Sequence, residues 1–483
     1  MSRGNWIYTV VTGLCRLVVR IFFTHVEVVG VENVPTNGPT LFVLNHPNGL
    51  FDPLFVLLFS GRKTSLLAKE PLFRMPVVGF FVRGLDSLPV YRKQDNNDPQ
   101  KNKAIILDSI HLLHRGNAIA LFPEGTSHSD FEIKPLRTGA ARIALSSSSK
   151  TASPDASPVK IVPAGLYYSN KETFRTKASI VFGKPIVTPS VELDEHFYPP
   201  RETITELTAT LHTALSELTL TAPNQEVFLA ARRVERTLWA HSADQNYRQQ
   251  RPEPLRDLAQ VSSKQQRLVD GYLRLQTEAP ERLSEIISMA EEHAKTLASA
   301  RLPVAQTTEF SGTRAAIVFG LSALCFLAAT PLLLVGFVTS YPTYRIIDFV
   351  AKRATKTEAD VTATAKAVLG ICLFPVTWLL LSALVGFRWG WTWFLPASLM
   401  MPIAAYVTLV VMEHSVRTVR RTYAAVRLTV QPQLRKKIDS ERTQIANLTR
   451  ELEQFLASQG GSPGHREASS PGTMTPGTMT PET

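Results

Sequence analysis

Residues 40–53 read TLFVLNHPNGLFDP, and this stretch decides how the first half of the chain is interpreted. The apolar run Thr40–Asn45 is typical of a buried β-strand. It ends at His46, where a Pro/Asn/Gly turn leads to Asp52 at the start of a helix. Such a turn can bring the Asp52 carboxylate back to hold the imidazole in one tautomer. The stretch therefore predicts a histidine base, although a histidine and a nearby aspartate also occur together by chance.

Residues 25–220 continue the same alternation of strand-like and helical segments. The pattern predicts an α/β domain with a mixed, mostly parallel sheet covered by helices. The predicted strands are Val26–Val31, Thr40–Asn45, Ala118–Phe122, Lys160–Leu166 and Ser179–Phe182, and the predicted helices include Lys101–His114 and Gly139–Leu145.

A second polar block, LFPEGTSH at residues 121–128, also follows a strand-like run. Gly125 permits a close backbone approach, and Thr126 and Ser127 can open a helix or turn. Free backbone N–H groups at such a turn can hold an oxyanion or a phosphate. The alternative is an ordinary turn with Glu124 as a surface charge.

Three basic residues, Arg92, Lys134 and Arg137, are candidates for a phosphate clamp, although each alone is more often a solvated charge. The chain has no nucleophile elbow, Walker loop or G-x-G-x-x-G motif. His46 thus has no obvious serine or cysteine to activate. We expect the substrate itself to supply the hydroxyl.

Three apolar stretches, residues 315–338, 367–387 and 389–412, each approach or exceed the roughly 20 residues that cross a hydrocarbon core. Basic segments before the second and after the third stretch should be cytoplasmic. The first stretch either spans the membrane or bends at Thr330–Pro331 and re-enters. We expect the bend, which would keep the N-terminal domain on the same side of the membrane as these basic segments.

The length suits two or three domains, and the chain has rather few charges for a soluble protein. It has 483 residues, a net charge of +11, 44% hydrophobic residues and 19% charged residues. These values exclude a mostly disordered chain and a disulfide scaffold. Cys15, Cys325 and Cys372 form no C-x-x-C pair, so we expect no metal site and no redox pair.

The chain divides into six predicted regions. Residues 1–24 form an amphipathic membrane-associated helix, with a core-packing helix as the alternative. The remaining regions are an α/β domain (25–220), a helical region (221–312), transmembrane segments (313–414), a basic helix with a short heptad pattern (415–457) and a disordered tail (458–483). The heptad pattern is compatible with a homodimer.

Four blocks in this order resemble the glycerolipid acyltransferase superfamily. They are the His46–Asp52 block, Gly79-Phe80-Phe81 with Pro89-Val90-Tyr91-Arg92, Phe122-Pro123-Glu124-Gly125, and Val162-Pro163-Ala164-Gly165. Two departures from the common pattern resemble the fungal-type branch that acylates glycerol 3-phosphate or dihydroxyacetone phosphate. Five residues rather than four separate His46 from Asp52, and Ser127 replaces an arginine.

The resemblance implies transfer of a fatty acyl chain to the sn-1 hydroxyl of glycerol 3-phosphate. His46 would act as the base, Asp52 would orient it, and Arg92 would contact the acceptor phosphate. Acceptor binding would also involve six residues further along the chain. They are Glu124, Gly125, Thr126, Ser127, Lys134 and Arg137.

The same resemblance sets the expected partners. Acyl-CoA or acyl-carrier protein would be the co-substrate, with no cofactor and no metal. The positive charge suits anionic membrane lipids and phosphorylated substrates, and no aromatic–basic pattern supports nucleic-acid binding. The site would face the cytosol, at a bacterial inner membrane or the endoplasmic reticulum. The alternatives are a lysophosphatidic acid or lysophospholipid acyltransferase, and a non-catalytic membrane scaffold of the same fold.

Overall fold

A computed structural model describes residues 4–90, 99–128, 130–151, 153–170, 174–195, 198–248, 257–303, 312–354 and 359–458. The strands are β1 Phe23–Val29, β2 Thr40–Leu44, β3 Thr64–Lys69, β4 Leu88–Val90, β5 Ala118–Leu121, β6 Lys160–Tyr168, β7 Thr176–Phe182 and β8 Ile186–Val187. The helices are α1 Gly4–Phe22, α2 Phe51–Phe59, α3 Glu70–Arg74, α4 Pro76–Gly84, α5 Pro99–His114, α6 Gly139–Ser148, α7 Arg201–Leu218, α8 Gln225–Arg248, α9 Leu258–Glu278, α10 Pro280–Ser299, α11 Gly312–Ala354, α12 Ala359–Trp389, α13 Phe394–Val430 and α14 Pro432–Ser458.

The strands form one mixed sheet in the order β1-β7-β6-β2-β5-β3-β4. Strands β6, β2, β5, β3 and β4 run parallel to one another, whereas β7 and β8 each pair antiparallel to β6. Strand β1 lies parallel to β7. The predicted fold class, a mostly parallel sheet covered by helices, is confirmed.

Strand β2 is buried along its whole length because helices cover both faces of the sheet. On one face Phe42 and Leu44 share a core with α1 and α2. On the other face Leu41 and Val43 pack into a second core with α5, α6 and α7. Burial on both sides explains why the strand is a continuous apolar run rather than an alternating one.

The first predicted strand ends earlier than expected. The strand runs from Phe23 to Val29, and Gly30 then adopts a positive φ of 74°. A Cβ at Gly30 would lie only 2.1 Å from the carbonyl oxygen of Phe182, so this turn requires glycine. The chain leaves the sheet there, and Val31 begins a short 3₁₀ turn.

Helices α8, α9, α10 and α14 pack together beside the sheet. Arg442 of α14 and Asp244 of α8 form an ion pair 2.9 Å long, with side chains 1% and 6% exposed. The boundary predicted at residue 414 falls within α13, since this helix continues past its apolar part to Val430.

Among the described residues, three helices are long and apolar enough to cross a membrane, within residues 317–353, 365–389 and 391–430. The chain is therefore a membrane protein. At Thr330–Pro331, where we expected a bend, the helix is not interrupted, since α11 continues through Pro331 and Pro342. Proline is tolerated in such helices where neighbours satisfy the freed carbonyl.

Helix α1 presents apolar side chains on two sides. Val11, Cys15 and Val19 lie in the core beneath the sheet, while Trp6 and Leu17 remain more than half exposed. The core-packing alternative therefore describes one face of α1. The exposed apolar face is the surface that the predicted membrane association would use.

The α/β domain is tied to the long apolar helices by Arg175. Its guanidinium pairs with Glu413 of α13 at 2.9 Å and donates to the carbonyl of Arg20 at the end of α1, also at 2.9 Å. Ala367 of α12 is buried in the same core as α1. These contacts place the α/β domain directly against the apolar helices.

Candidate active site

The parallel pairing of β2 with β5 and β6 brings the predicted blocks to one edge of the sheet. Val43 of β2 lies opposite Leu121 of β5, and Leu44 lies opposite Ala164 of β6. The carboxyl ends of the three strands therefore meet. His46 follows β2, Glu124 follows β5, and Tyr168 is the last residue of β6.

His46 and Asp52 are in direct contact, as the sequence predicts. His46 Nδ1 lies 2.9 Å from Asp52 Oδ2. The Asn48 side-chain oxygen accepts from the backbone N–H groups of Leu50 and Phe51 at 3.2 Å, which shapes the turn. Asp52 then lies in the first turn of α2, facing back toward His46. The extra residue between them does not prevent this contact.

The far nitrogen of His46 is left available for chemistry. Nδ1 faces Asp52, and no described residue forms a hydrogen bond to Nε2. The ring stacks on Phe122 with centroids 4.1 Å apart, and the side chain keeps 9% exposure. With Nδ1–H donating to the carboxylate, Nε2 is the nitrogen that can accept a proton.

Asp52 is completely buried and receives three hydrogen bonds. The donors are His46 Nδ1, the backbone N–H of Asn48 at 2.6 Å and the Tyr168 hydroxyl at 2.5 Å. Burial raises the pKa of Asp52, and these three donors oppose the rise. Burial, together with the charge of Asp52, raises the pKa of Tyr168 well above its ordinary value. Tyr168 therefore stays protonated and donates.

Glu124 is a buried residue that links two loops, rather than a surface charge. Its Oε1 accepts from the backbone N–H of His46 at 2.8 Å. Its Oε2 accepts from the backbone N–H of Lys134 at 2.9 Å and contacts His128 Nε2. Burial alone would raise the pKa of Glu124, but these hydrogen bonds outweigh it and the pKa lies below its ordinary value. Glu124 therefore links the loop after β5 to the backbone of His46.

Gly125, Thr126 and Ser127 line the loop beside His46. Gly125 has a φ of 73°, and a Cβ there would lie 2.6 Å from Arg137 Nε, so the Arg137 side chain crosses this glycine. The Ser127 hydroxyl lies 3.2 Å from the position of a Cβ on Gly49. Thr126 Oγ1 donates to the carbonyl of Ser127 at 3.3 Å.

Two of the three predicted basic residues lie near this edge. Lys134 Nζ pairs with Asp130 at 3.0 Å, and the Arg137 backbone N–H donates to the carbonyl of Pro123 at 2.8 Å. Lys134 also lines a cavity of about 390 Å³ together with Asp130 and Phe131. Arg92 lies outside the described residues.

Comparison with protein families gives the kind of domain that carries this site. A family model described as Acyltransferase matches residues 25–167. Residues 25–167 are an acyltransferase domain. The match begins in β1 and ends one residue before Tyr168, so it includes His46, Asp52 and Glu124.

Relatives of the acyltransferase domain include fungal and plant enzymes. The chain is 25% identical over 318 residues to glycerol-3-phosphate O-acyltransferase 1 of Saccharomyces cerevisiae, which covers 48% of this chain and 41% of that protein. It is 28% identical over 123 residues to a chloroplastic 1-acyl-sn-glycerol-3-phosphate acyltransferase of Brassica napus, covering 25% of this chain and 34% of that protein. The chain thus spans less than half the length of either relative.

A solved structure also aligns with this chain. It is the 1-acyl-sn-glycerophosphate acyltransferase of Thermotoga maritima, with 20% identity and a TM-score of 0.32. The alignment covers 44% of this chain and 80% of that one.

Sequence reasoning missed Tyr168 in the acyltransferase domain. Tyr168 lies three residues beyond the Val162–Gly165 block, on the same strand. It reaches Asp52 only because β6 pairs with β2 in the sheet. His128 was visible in the sequence, but its contact with Glu124 was not predicted. Within the described residues no group of three or more His, Cys, Asp or Glu could hold a metal ion.

Proposed function

We propose that the chain transfers a fatty acyl group from an acyl thioester to the sn-1 hydroxyl of glycerol 3-phosphate, giving lysophosphatidic acid. The observation that carries this proposal is the His46–Asp52 contact, with Nε2 of His46 left available. Among the described residues no serine or cysteine hydrogen-bonds to Nε2, so this histidine base suits a substrate hydroxyl. The long alignment with the yeast glycerol-3-phosphate acyltransferase supports this acceptor.

In the proposed reaction His46 Nε2 takes the proton from the acceptor hydroxyl. The oxygen attacks the thioester carbonyl, forming the new C–O ester bond. The C–S bond of acyl-CoA or acyl-carrier protein then breaks, and the leaving thiolate takes the proton from Nε2. Asp52 stabilises the imidazolium between these steps. A positioned base of this kind contributes a factor of roughly 10²–10⁴ to the rate.

Acceptor binding uses the loop after β5 and the basic residues beside it. Arg92, Lys134 and Arg137 would contact the phosphate, while Glu124, Gly125, Thr126 and Ser127 shape the pocket wall. Ser127 replaces the arginine of the common pattern, and the neighbouring His128 contacts Glu124. Dihydroxyacetone phosphate fits the same binding features and is a second acceptor to test.

The active site would face the cytosol, where both substrates occur. Leu302 before α11 packs in one cluster with Ala424 and Leu428 near the end of α13. Three full membrane crossings would place Leu302 and the end of α13 on opposite sides of the membrane. The cluster therefore favours an even number of crossings. Because α11 is one continuous helix, this even number does not depend on a bend in the first apolar stretch. The basic residues Arg420 and Arg421 near that cluster favour the cytosolic side.

The sidedness can be measured on exposed Lys150 of the α/β domain. Lys150→Cys, in a chain whose own cysteines are replaced, is treated with a membrane-impermeant maleimide. We expect labelling in inside-out vesicles and protection in right-side-out vesicles. The reverse pattern would place the site on the outer face.

The acceptor can be identified with purified full-length protein in detergent. Labelled palmitoyl-CoA is offered with glycerol 3-phosphate, dihydroxyacetone phosphate or lysophosphatidic acid in separate reactions. We expect the highest rate with glycerol 3-phosphate. Transfer only to lysophosphatidic acid would favour the alternative acyltransferase, which the Brassica relative motivates. No transfer from palmitoyl-CoA or palmitoyl-carrier protein to any acceptor would favour the non-catalytic scaffold.

A further inference from the structure

Tyr168 completes the set of groups around Asp52. Its hydroxyl donates to Asp52 Oδ1 at 2.5 Å, while Oδ2 receives His46 Nδ1 at 2.9 Å and the backbone N–H of Asn48 at 2.6 Å. Each carboxylate oxygen therefore has its own partner. A carboxylate held on both oxygens cannot rotate without breaking a hydrogen bond.

The Tyr168 ring is itself held firmly. It stacks on Phe55 of α2 with centroids 5.7 Å apart, and it lies 5.9 Å from Phe23 of β1. Asn45 links the end of β2 to β6, because its amide accepts from the Leu166 N–H at 2.7 Å and donates to the Leu166 carbonyl at 3.1 Å. The hydroxyl is thus fixed relative to the strand that carries His46.

We propose that Tyr168 is a positioning residue, which keeps Asp52 ionised and oriented so that His46, Asp52 and Tyr168 act as one hydrogen-bonded unit. The inference rests on the proposed function, because it assigns Tyr168 a role only through the base. Tyr168 is buried, and its hydroxyl contacts Asp52 rather than the imidazole. A charge-assisted hydrogen bond of this kind is about twice as strong as a neutral one, which suits the buried, otherwise poorly solvated carboxylate.

Few other titratable groups face this unit among the described residues. His46 approaches Asp52 from the turn after β2, and Tyr168 approaches from β6. On the β5 side, Glu124 and His128 contact the backbone of His46 rather than its ring. A shift in the pH profile on altering Tyr168 therefore reports on the Asp52 carboxylate and the His46 imidazole.

The test compares Tyr168→Phe with Tyr167→Phe in the full chain, using labelled palmitoyl-CoA and the acceptor that the wild type uses. Tyr167 points to the opposite face, where its hydroxyl donates to Gln265 at 3.1 Å. We expect Tyr168→Phe to lower kcat roughly ten-fold or more with little change in KM, which corresponds to losing one hydrogen bond to a charged group. We expect Tyr167→Phe to retain the wild-type kcat.

The pH profile separates positioning from simple packing. Without the tyrosine donor the Asp52 carboxylate is harder to ionise and becomes a stronger acceptor for His46. We therefore expect the acid limb of kcat/KM to move to higher pH in Tyr168→Phe. In an Asp52→Asn background the same change should have no further effect. A wild-type kcat with an unmoved acid limb would overturn the inference, as would a full additional loss in the Asp52→Asn background.

A ring-fluorinated tyrosine at position 168 keeps the test valid if Tyr168→Phe does not fold. It is nearly isosteric and a stronger donor, so the acid limb should move to lower pH, and an unchanged limb would overturn the inference. His46→Ala in the same assay separates the two proposals. If it retains activity, the proposed base fails. If it loses activity while the Tyr168 variants behave as wild type, only the present inference fails.

Discussion

Two histidine–carboxylate pairs in this chain have similar distances but lie in different surroundings. His46 Nδ1 lies 2.9 Å from Asp52, and His293 Nδ1 of α10 lies 2.7 Å from Glu441 of α14. The first pair lies where parallel strands end. The second lies between packed helices, and Glu441 also accepts from Thr296 at 3.0 Å. A short histidine–carboxylate contact alone therefore does not identify a base.

The difference lies in the second ring nitrogen. His293 is 1% exposed, and its Nε2 is buried without a hydrogen-bond partner among the described residues. No substrate can reach that nitrogen. Burial lowers the pKa of His293, against the bond to Glu441, which raises it. His293 is thus a structural histidine, whereas His46 contacts a buried carboxylate through Nδ1 and keeps Nε2 available.

Asp52→Asn should produce the largest effect on activity. An amide in place of the carboxylate favours the wrong tautomer of His46 and cannot stabilise the imidazolium, so we expect kcat to fall by roughly 10²- to 10⁴-fold. The matched change in the helical region, Glu441→Gln, should leave kcat per folded protein near the wild-type value. Steady-state transfer assays on both proteins check this. Equal losses in the two variants would remove the distinction between the pairs.

Arg442→Met should produce the largest effect on stability. It removes the cationic side of the buried ion pair with Asp244, so we expect the free energy of unfolding to fall by about 3–5 kcal/mol. Chemical denaturation in detergent measures the change. Arg450→Met, at an exposed position on the same helix, is the control and should change little. Similar values for the two variants would show that the buried ion pair is not important for stability.

Arg137→Gln should affect acceptor binding more weakly. The Arg137 side chain crosses Gly125 beside the base, but the residue is exposed, so solvent screens its charge. We expect KM for glycerol 3-phosphate to rise roughly 3- to 10-fold with kcat nearly unchanged. Arg115→Gln is the control, because Arg115 precedes β5 at the opposite edge of the sheet. An unchanged KM in Arg137→Gln would remove this residue from the clamp.

The smallest expected effect is on the pH dependence of stability, where the burial of His293 should be visible. Because burial lowers the pKa of His293, the unfolded chain binds a proton there more readily than the folded chain. The stability from neutral His293 is present above the unfolded pKa of about 6.5 and is lost as the pH falls below it. His293→Gln should therefore lose less stability than the wild type between pH 7 and pH 5. Exposed His212→Gln should follow the wild type.

Contacts between residues that are close in the sequence could be predicted from the sequence. His46 and Asp52 are joined across one turn into a helix, so the residue types and the short spacing were sufficient. Strand β2 was equally clear, because burial on both faces makes it a continuous apolar run. Strand β4 was missed, since it has only three residues, Leu88–Val90, and includes a proline.

Contacts set by strand order could not be predicted in the same way. Tyr168 reaches Asp52 across 116 positions in the sequence, and only the pairing of β6 with β2 brings them together. Glu124 was predicted as part of the acceptor pocket. The structure adds that its two oxygens are occupied by His46, Lys134 and His128, which depends on how two loops fold against each other. The contribution of Glu124 to acceptor binding stays a prediction.

The most direct test of the central claim compares His46→Ala with His293→Ala in one transfer assay, using labelled palmitoyl-CoA, glycerol 3-phosphate and equal amounts of folded protein. We expect His46→Ala to lower transfer by roughly 10²- to 10⁴-fold, while His293→Ala retains the wild-type rate and loses only stability. Transfer by His46→Ala at the wild-type rate would show that His46 is not the base.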